Sequence, residues 1–179
     1  MQQLDMFGSE LHEYLICVEP DQQTTNKVIQ LKHLLHTSIP LSDQVLKSKP
    51  HISLCYFEAS DFSDELIILK IKQALAGIEC FKIGLNGCEL WNNGSFILKV
   101  DHTESIHMLQ KQLSAHFKGV VQTLHLTIAR TISRKQFADF SANDFQYSGN
   151  FSCDSIVLLK KSGNTPYQLL HRILLSSMK

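Results

Sequence analysis

An excess of charge of either sign, paired cysteines, long apolar runs and a glycine- or proline-rich stretch are all missing from this 179-residue sequence. Lys plus Arg number 17 and Asp plus Glu number 17, for a formal net charge of +0. Proteins that grip long stretches of nucleic-acid backbone are distinctly basic, so any nucleic-acid contact here is expected to be local. The cysteines (Cys17, Cys55, Cys80, Cys88 and Cys153) are odd in number, widely spread and without a C-x-x-C pair. That argues against a disulfide framework and against a zinc ribbon, and they read as reduced, mostly buried small hydrophobes. With 8 Gly and 4 Pro the chain is not disordered, collagenous or low in complexity. Its longest apolar runs, such as Ile67–Leu69 and Ile156–Leu159, fall far short of the ~20 residues that span a bilayer. Met1-Gln2-Gln3-Leu4-Asp5 lacks the basic region before an apolar core that marks a secretory signal. A cytoplasmic location is expected, with no membrane association and no obligate protein partner.

What is present is a hydrophobic content of 44% over a length suited to one domain, or to two small lobes sharing a core. Glu13–Glu19 reads as a buried strand closed by Pro20-Asp21, after which a helix over 21–36 would bury Val28, Leu31, Leu34 and Leu35. Lys49–Phe57 is rich in β-formers. Asp61–Leu75 reads as a helix offering Leu66, Leu69, Ile71 and Leu75 to the core. Cys80–Trp91 and Ser95–Val100 flank Asn92-Asn93-Gly94, a hairpin signal in which Trp91 is expected to fix the turn. Thr103–Phe117 places Ile106, Leu109, Leu113 and Phe117 on one helical stripe, with Glu104 early and Lys118 late to suit the dipole. Thr123–Arg130 then reads as a strand, Ser133–Phe140 as a short helix, and Asn150–Lys160 and Tyr167–Leu175 as two further strands. No flexible linker divides the chain.

The sequence echoes itself. A strand, a helix and a strand bearing His-x-Ser or His-x-Thr occur at 13–57 and again at 95–131. The first copy ends in His51-Ile52-Ser53-Leu54 and the second in His125-Leu126-Thr127-Ile128. Two such halves imply a pseudo-twofold arrangement with one histidine strand in each. A third match, His36-Thr37-Ser38-Ile39, falls where the first helix ends before Pro40, so its residues do not alternate on a strand. With roughly 0.6 matches to the pattern expected by chance, that one is the decoy.

Period-two alternation puts His51 and Ser53 on one face of their strand and His125 and Thr127 on one face of theirs. If the halves face each other, two imidazoles titrating near pH 6.5 and two hydroxyl donors converge. That set suits phosphodiester chemistry without a metal. One neutral imidazole takes a proton from the attacking oxygen, a protonated one gives a proton to the departing oxygen, and Ser53 and Thr127 hydrogen-bond the non-bridging phosphate oxygens.

The pair His51-Ile52-Ser53-Leu54 and His125-Leu126-Thr127-Ile128-Ala129-Arg130 resembles the two motifs of the 2H phosphoesterase superfamily, in its branch of 2′-5′ RNA ligases and RNA 2′,3′-cyclic phosphodiesterases. The resemblance extends over nearly the whole chain, from Val18-Glu19-Pro20 to a closing pair in Leu158–Ser162 and Tyr167–Leu170. It implies an α+β, bilobal fold: two pseudo-twofold-related antiparallel sheets with helices packed outside and a central cleft, residues 1–179 forming a single domain of two intertwined lobes. It also implies metal-independent, cofactor-free hydrolysis of 2′,3′-cyclic phosphate ends of RNA or of small nucleotides, with ligation as a possible reverse activity. His51 and His125 would then be the catalytic pair and Ser53 and Thr127 the phosphate holders.

The surrounding residues are less defined. Tyr56 and Phe57 are candidates for stacking on a base, and Phe57 shares the histidine face if alternation is regular; an aromatic there is also an ordinary core residue. Arg130 falls on the opposite, Leu126 face of a regular strand and reaches phosphate only if the strand end redirects it. Lys160, Lys161 and Arg172 read as a solvated face, with a cleft rim as the other reading. His33 with His36, and His102 with His107, lack ligands at zinc spacing, so no metal site is expected. A non-catalytic nucleotide or RNA-end binding module, and a phosphoesterase acting on a different small phosphodiester, are the other readings of the same motifs.

Overall fold

Alternating apolar residues and helical stripes sort the chain into β1 (Leu11–Val18), α1 (Gln22–His36), α2 (Asp43–Lys47), β2 (Ile52–Ser60), α3 (Asp64–Ala74), β3 (Phe81–Leu90) and β4 (Phe96–Val100). Then follow α4 (Glu104–His116), β5 (Val120–Val121), β6 (His125–Ala129), α5 (Arg134–Ala138), β7 (Ser148–Cys153), β8 (Ser155–Lys161) and β9 (Gln168–Leu174). The computed structural model describes residues 10–60, 63–101, 103–117, 119–121, 123–138 and 145–177. Asp61, His102, Lys118, Phe140 and the first five residues, all used in the sequence reading, lie outside the described residues.

Local chemistry accounts for the element boundaries. Asp21 caps α1, its carboxylate accepting the Thr24 N–H at 2.7 Å. The β3–β4 hairpin turns through Gly94 at φ +79°, where the Gly94 N–H donates to the Trp91 carbonyl at 3.0 Å. A Cβ on Gly94 would stand 2.9 Å from the Ile132 carbonyl oxygen, so glycine is required for space as well as for conformation.

The strands form one antiparallel sheet in the order β7-β3-β4-β6-β2-β1-β8-β9, with β5 paired to β2 beside that path. Among the described residues the two four-stranded halves meet through one registered pair of β2 with β6, Ile52 with Leu126, beside which β5 adds Cys55 with Val121 and Tyr56 with Val120. The repeat seen in the sequence is a repeat in space: β1-α1-β2 lies on one side of this junction and β4-α4-β6 on the other. Each helix crosses over, since α1 touches β6 and α4 touches β2. The halves are thus interlocked by their helices.

The helices α1 to α5 cover one face of the sheet. Val28, Leu31 and Leu35 of α1, Ile67 and Ile71 of α3, and Ile106, Leu109 and Leu113 of α4 share a core with Ile16, Ile52, Leu54, Leu98, Leu126 and Leu158, with Val45 and Phe137 packed at its edge. Each such side chain contributes roughly 1.5–3 kcal/mol on burial. Among the described residues the other face carries a small apolar cluster, Leu15, Cys17 and Val157, flanked by Leu159 and Tyr167. That open face is where the site is built.

Some expectations needed correction. Asn150–Lys160 is two strands, β7 and β8, broken at Asp154; β7 joins β3 at one end of the sheet and β8 joins β1 in the other half. Propensity alone could not see a chain that leaves one half for the other between adjacent residues. Leu34, Leu66 and Leu69 are exposed rather than in the core. In α1 the buried face instead takes Lys32, whose ammonium donates to the Val45 and Ser48 carbonyls and to the Ser48 hydroxyl at 2.6–3.0 Å. Buried charge survives there because all three donors are used. The helix α2 that supplies Val45 was not expected.

Candidate active site

His51 immediately precedes β2 and His125 opens β6. Ile52 and Leu126, the junction pair, are fully buried on the helix-covered face. Their neighbours His51, Ser53, His125 and Thr127 point to the open face and are half-buried. Antiparallel register across the junction sets His51 beside Thr127 and His125 beside Ser53, with the two histidines diagonal to each other. Diagonal neighbours on one face of an antiparallel pair stand roughly 7–8 Å apart, with Cβ atoms somewhat closer, within reach of long side chains and with room for a tetrahedral phosphate between the ring tips. The four motif residues are brought together as the alternation predicts.

What alternation alone misjudges is the next turn of each strand. Register slips between Ile16 and Cys17 opposite β2, and between Phe96 and Ile97 opposite β6. Cys17 pairs with Ser53 and Ile16 with Cys55, so Leu54 is the extra residue; Ile97 pairs with Thr127 and Phe96 with Ala129, so Ile128 is the extra residue. Each histidine strand therefore carries a bulge at the same place, one residue past the hydroxyl. Both extra residues and the residues after them (Leu54 and Cys55, Ile128 and Ala129) are buried in the core. A bulge reverses the alternation beyond it. The Leu54 carbonyl is satisfied by the buried Gln110 side chain of α4, whose Nε2 donates at 3.2 Å.

The reversal settles the flanking candidates. Phe57 leaves the histidine face for the core, stacking on Tyr14 and on Phe117 with ring centroids 5.3 and 4.6 Å apart. Tyr56 takes its place on the open face, paired with Leu15 and next to Glu13. Arg130 is turned onto the open face as well, where its guanidinium acts electrostatically on both histidines and has no hydrogen bond or ion pair among the described residues. Thr131 after it adopts φ +63°, a left-handed conformation that a β-branched residue rarely takes. The Ile132 N–H donates to the Gly94 carbonyl at 2.9 Å, so the β3–β4 hairpin clamps this strained corner.

Both imidazoles are held in the same way. His51 Nδ1 lies 3.1 Å from the Lys49 carbonyl and His125 Nδ1 2.6 Å from the Thr123 carbonyl, in each case two residues back. A carbonyl only accepts, so Nδ1 carries the proton and Nε2 is left to face the cleft as a base, or as an acid once protonated. Burial pulls His51 below the ordinary value of 6.5; the Lys49 carbonyl opposes this, Arg130 reinforces it, and the nearby Glu19 opposes it. Burial and then Arg130 likewise hold His125 low, against the Thr123 carbonyl. The unpaired guanidinium beside both rings favours an anion there.

The halves differ in charge. Beyond the Val18–Ile52 pair comes Glu19, which is tied to Arg172. Lys99, the register partner of His125, has no acidic partner among the described residues. Lys160 pairs with Asp64 at 3.0 Å and Lys161 with Glu13 at 2.9 Å, so these lysines are engaged within the protein. Sequence reasoning passed over Lys99, although it alternates with the buried Leu98 and Val100. It also read Trp91 only as a hairpin residue; the ring lies against His125, centroids 4.5 Å apart. Among the described residues no group of three or more His, Cys, Asp or Glu is placed to hold a metal ion, and no helix is long and apolar enough to cross a membrane.

Comparison with known proteins decides the family. The model of the 2′-5′ RNA ligase superfamily matches residues 18–165, which include both histidine motifs. The chain belongs to this superfamily of 2H phosphoesterases. Escherichia coli LigT complexed with 3′-AMP superposes on this 2H phosphoesterase with a TM-score of 0.71 at 14% identity, covering 92% of this chain and 98% of LigT. LigT complexed with phosphate gives 0.69 at 17%, covering 94% and 99%. TT0787 of Thermus thermophilus gives 0.69 at 14%, covering 93% and 100%. At these identities the likeness is one of fold. No curated protein matches the chain in sequence.

Proposed function

We propose that this 2H phosphoesterase hydrolyses 2′,3′-cyclic phosphate ends of RNA or of small nucleotides by acid–base catalysis between His51 and His125, without a metal. The observation that carries the reading is the matched pair of imidazoles, each fixed through Nδ1 to a carbonyl two residues back and each with Nε2 free, on either side of one junction. One neutral imidazole removes a proton from water as the new P–O bond forms. The other, protonated, gives its proton to the ribose oxygen as the ring P–O bond breaks. Ligation is the same step with the 5′-hydroxyl of a second strand in place of water, and the two imidazoles exchange roles when that linkage is cleaved back to a cyclic phosphate. Ser53 and Thr127 donate to the non-bridging oxygens, and Arg130 neutralises the charge that gathers there. Since both proton transfers come from side chains, no nucleophilic residue or metal-bound water is required.

Support comes from the family, from the low-lying imidazoles, and from the structural neighbour LigT, which has been crystallised with 3′-AMP and with phosphate. The test is a panel of nucleoside 2′,3′-cyclic monophosphates and short oligonucleotides with cyclic-phosphate ends, assayed with and without chelator. Turnover that survives chelation and disappears in His51→Ala and in His125→Ala is expected. Loss of turnover on chelation overturns the metal-free mechanism, and full activity in either histidine variant overturns the assignment. Binding without turnover would identify a nucleotide-end binding module instead.

A further inference from the structure

Beside His125, on the half of the cleft away from Glu19, is a cavity of about 420 Å³ that the proposed chemistry does not use. Trp91, Asn86, Lys99, Asp101 and Thr123 contribute to its walls. It adjoins the reacting position through two contacts: the Trp91 ring lies against the His125 ring, and the Thr123 carbonyl accepts the hydrogen bond from His125 Nδ1–H. Its contents are those of a nucleoside site, an aromatic face with an amide, a hydroxyl and a carboxylate around it. Asn86 accepts from the Ser148 hydroxyl at 3.2 Å through its carbonyl oxygen, which leaves its amide N–H groups to donate.

Lys99 adds a charge. It pairs in register with His125 on the open face, and its stem runs along Gly87 of β3, so the ammonium is directed away from the junction by one to two strand spacings of about 4.8 Å. It is thus placed for an anion other than the reacting phosphate. In the opposite half Arg172 is tied to Glu19 and Lys161 to Glu13. With Asp101 and Glu89 on the same walls the cavity does not suit a long polyanion. It suits one base and one further phosphate, in keeping with a net charge of +0.

Resting on the phosphodiesterase reading, we infer that the substrate is an oligonucleotide end: Trp91 stacks the base of the nucleoside carrying the cyclic phosphate, and Lys99 holds the phosphate on its 5′ side. A nucleoside cyclic monophosphate fills the first position only.

Trp91 is the sole tryptophan, so its fluorescence reports the stack directly. The experiment compares a nucleoside 2′,3′-cyclic monophosphate with a dinucleotide bearing a 2′,3′-cyclic end, and titrates a non-reacting dinucleotide 3′-phosphate against Trp91 fluorescence over a range of salt. Expected are a kcat/KM roughly tenfold or more in favour of the dinucleotide, quenching of Trp91 on binding, and a Trp91→Leu variant weakened on both substrates. In Lys99→Met the dinucleotide preference collapses toward one, and the slope of log affinity on log salt becomes shallower by about 0.7. Equal kcat/KM for the two substrates with normal turnover overturns this inference and leaves the phosphodiesterase reading standing. An unquenched Trp91, or a salt slope unchanged in Lys99→Met, also overturns it. Absent turnover with a Lys99-dependent, quenching dinucleotide complex overturns the catalytic reading and upholds the binding site.

Discussion

Ile52 and Leu126 form the described registered pair by which β2 meets β6, and neither exposes any surface. Each is flanked by a histidine and a hydroxyl residue on the opposite face, so this contact sets the spacing of the site. Truncating either side chain is expected to cost roughly 2–5 kcal/mol, read from denaturant midpoints. If the junction positions the histidines, Ile52→Val, a milder change of about 0.5–1.5 kcal/mol, also lowers kcat in protein that remains fully folded. A kcat unchanged in the folded variant would show that the spacing is set elsewhere.

The motif residues are expected to separate into two tiers. His51→Ala and His125→Ala each abolish turnover, whereas Ser53→Ala and Thr127→Ala reduce it less, because two further donors remain on the phosphate oxygens. The check is single-turnover kinetics on one cyclic-phosphate substrate. A Ser53→Ala loss as complete as that of the histidine variants would contradict the division of roles.

Arg130 has a pH signature. Burial first and the guanidinium as well hold both imidazoles below 6.5. The form with one proton on the pair is therefore most populated below that value, and kcat/KM should be bell-shaped with its maximum on the acidic side of 6.5. Arg130→Gln should lower kcat/KM roughly 10²-fold and move both limbs to higher pH. A rate loss with unmoved limbs would separate the guanidinium from the histidines.

The same shifts carry a stability consequence. Each histidine binds a proton less readily folded than unfolded, so its full contribution is present above about 6.5 and is lost as pH falls from there toward the folded value. Midpoints of urea unfolding should drop across this window. A His51→Gln, His125→Gln double variant should show a flatter dependence, and an unchanged slope would place the acid sensitivity elsewhere.

Trp91 gives a direct reading of His125. An imidazolium against an indole perturbs its emission, so the fluorescence of this single tryptophan should titrate with a midpoint below 6.5. His125→Gln should remove the transition. Persistence of the transition in that variant would show that Trp91 senses another group.

Short-range pattern was enough to specify the repeated strand, helix and strand units, the two histidine strands and the four motif side chains, because periods of 2 and 3.6 residues and a capping Asp21 act over a few neighbours. It also distinguished the decoy at His36, which ends a helix. Long-range packing chose the rest. Phe57 and Arg130 exchanged faces relative to plain alternation because an extra residue, Leu54 or Ile128, is accommodated opposite strands distant in sequence, and nothing in β2 or β6 alone specifies it. The division of Asn150–Lys160 between two halves, the choice of Lys32 over Leu34 as an inward residue, and the meeting of Trp91 with His125 are likewise contacts between remote segments. Side-chain pattern selects which face is apolar, but only the packed sheet selects which residue stands opposite which.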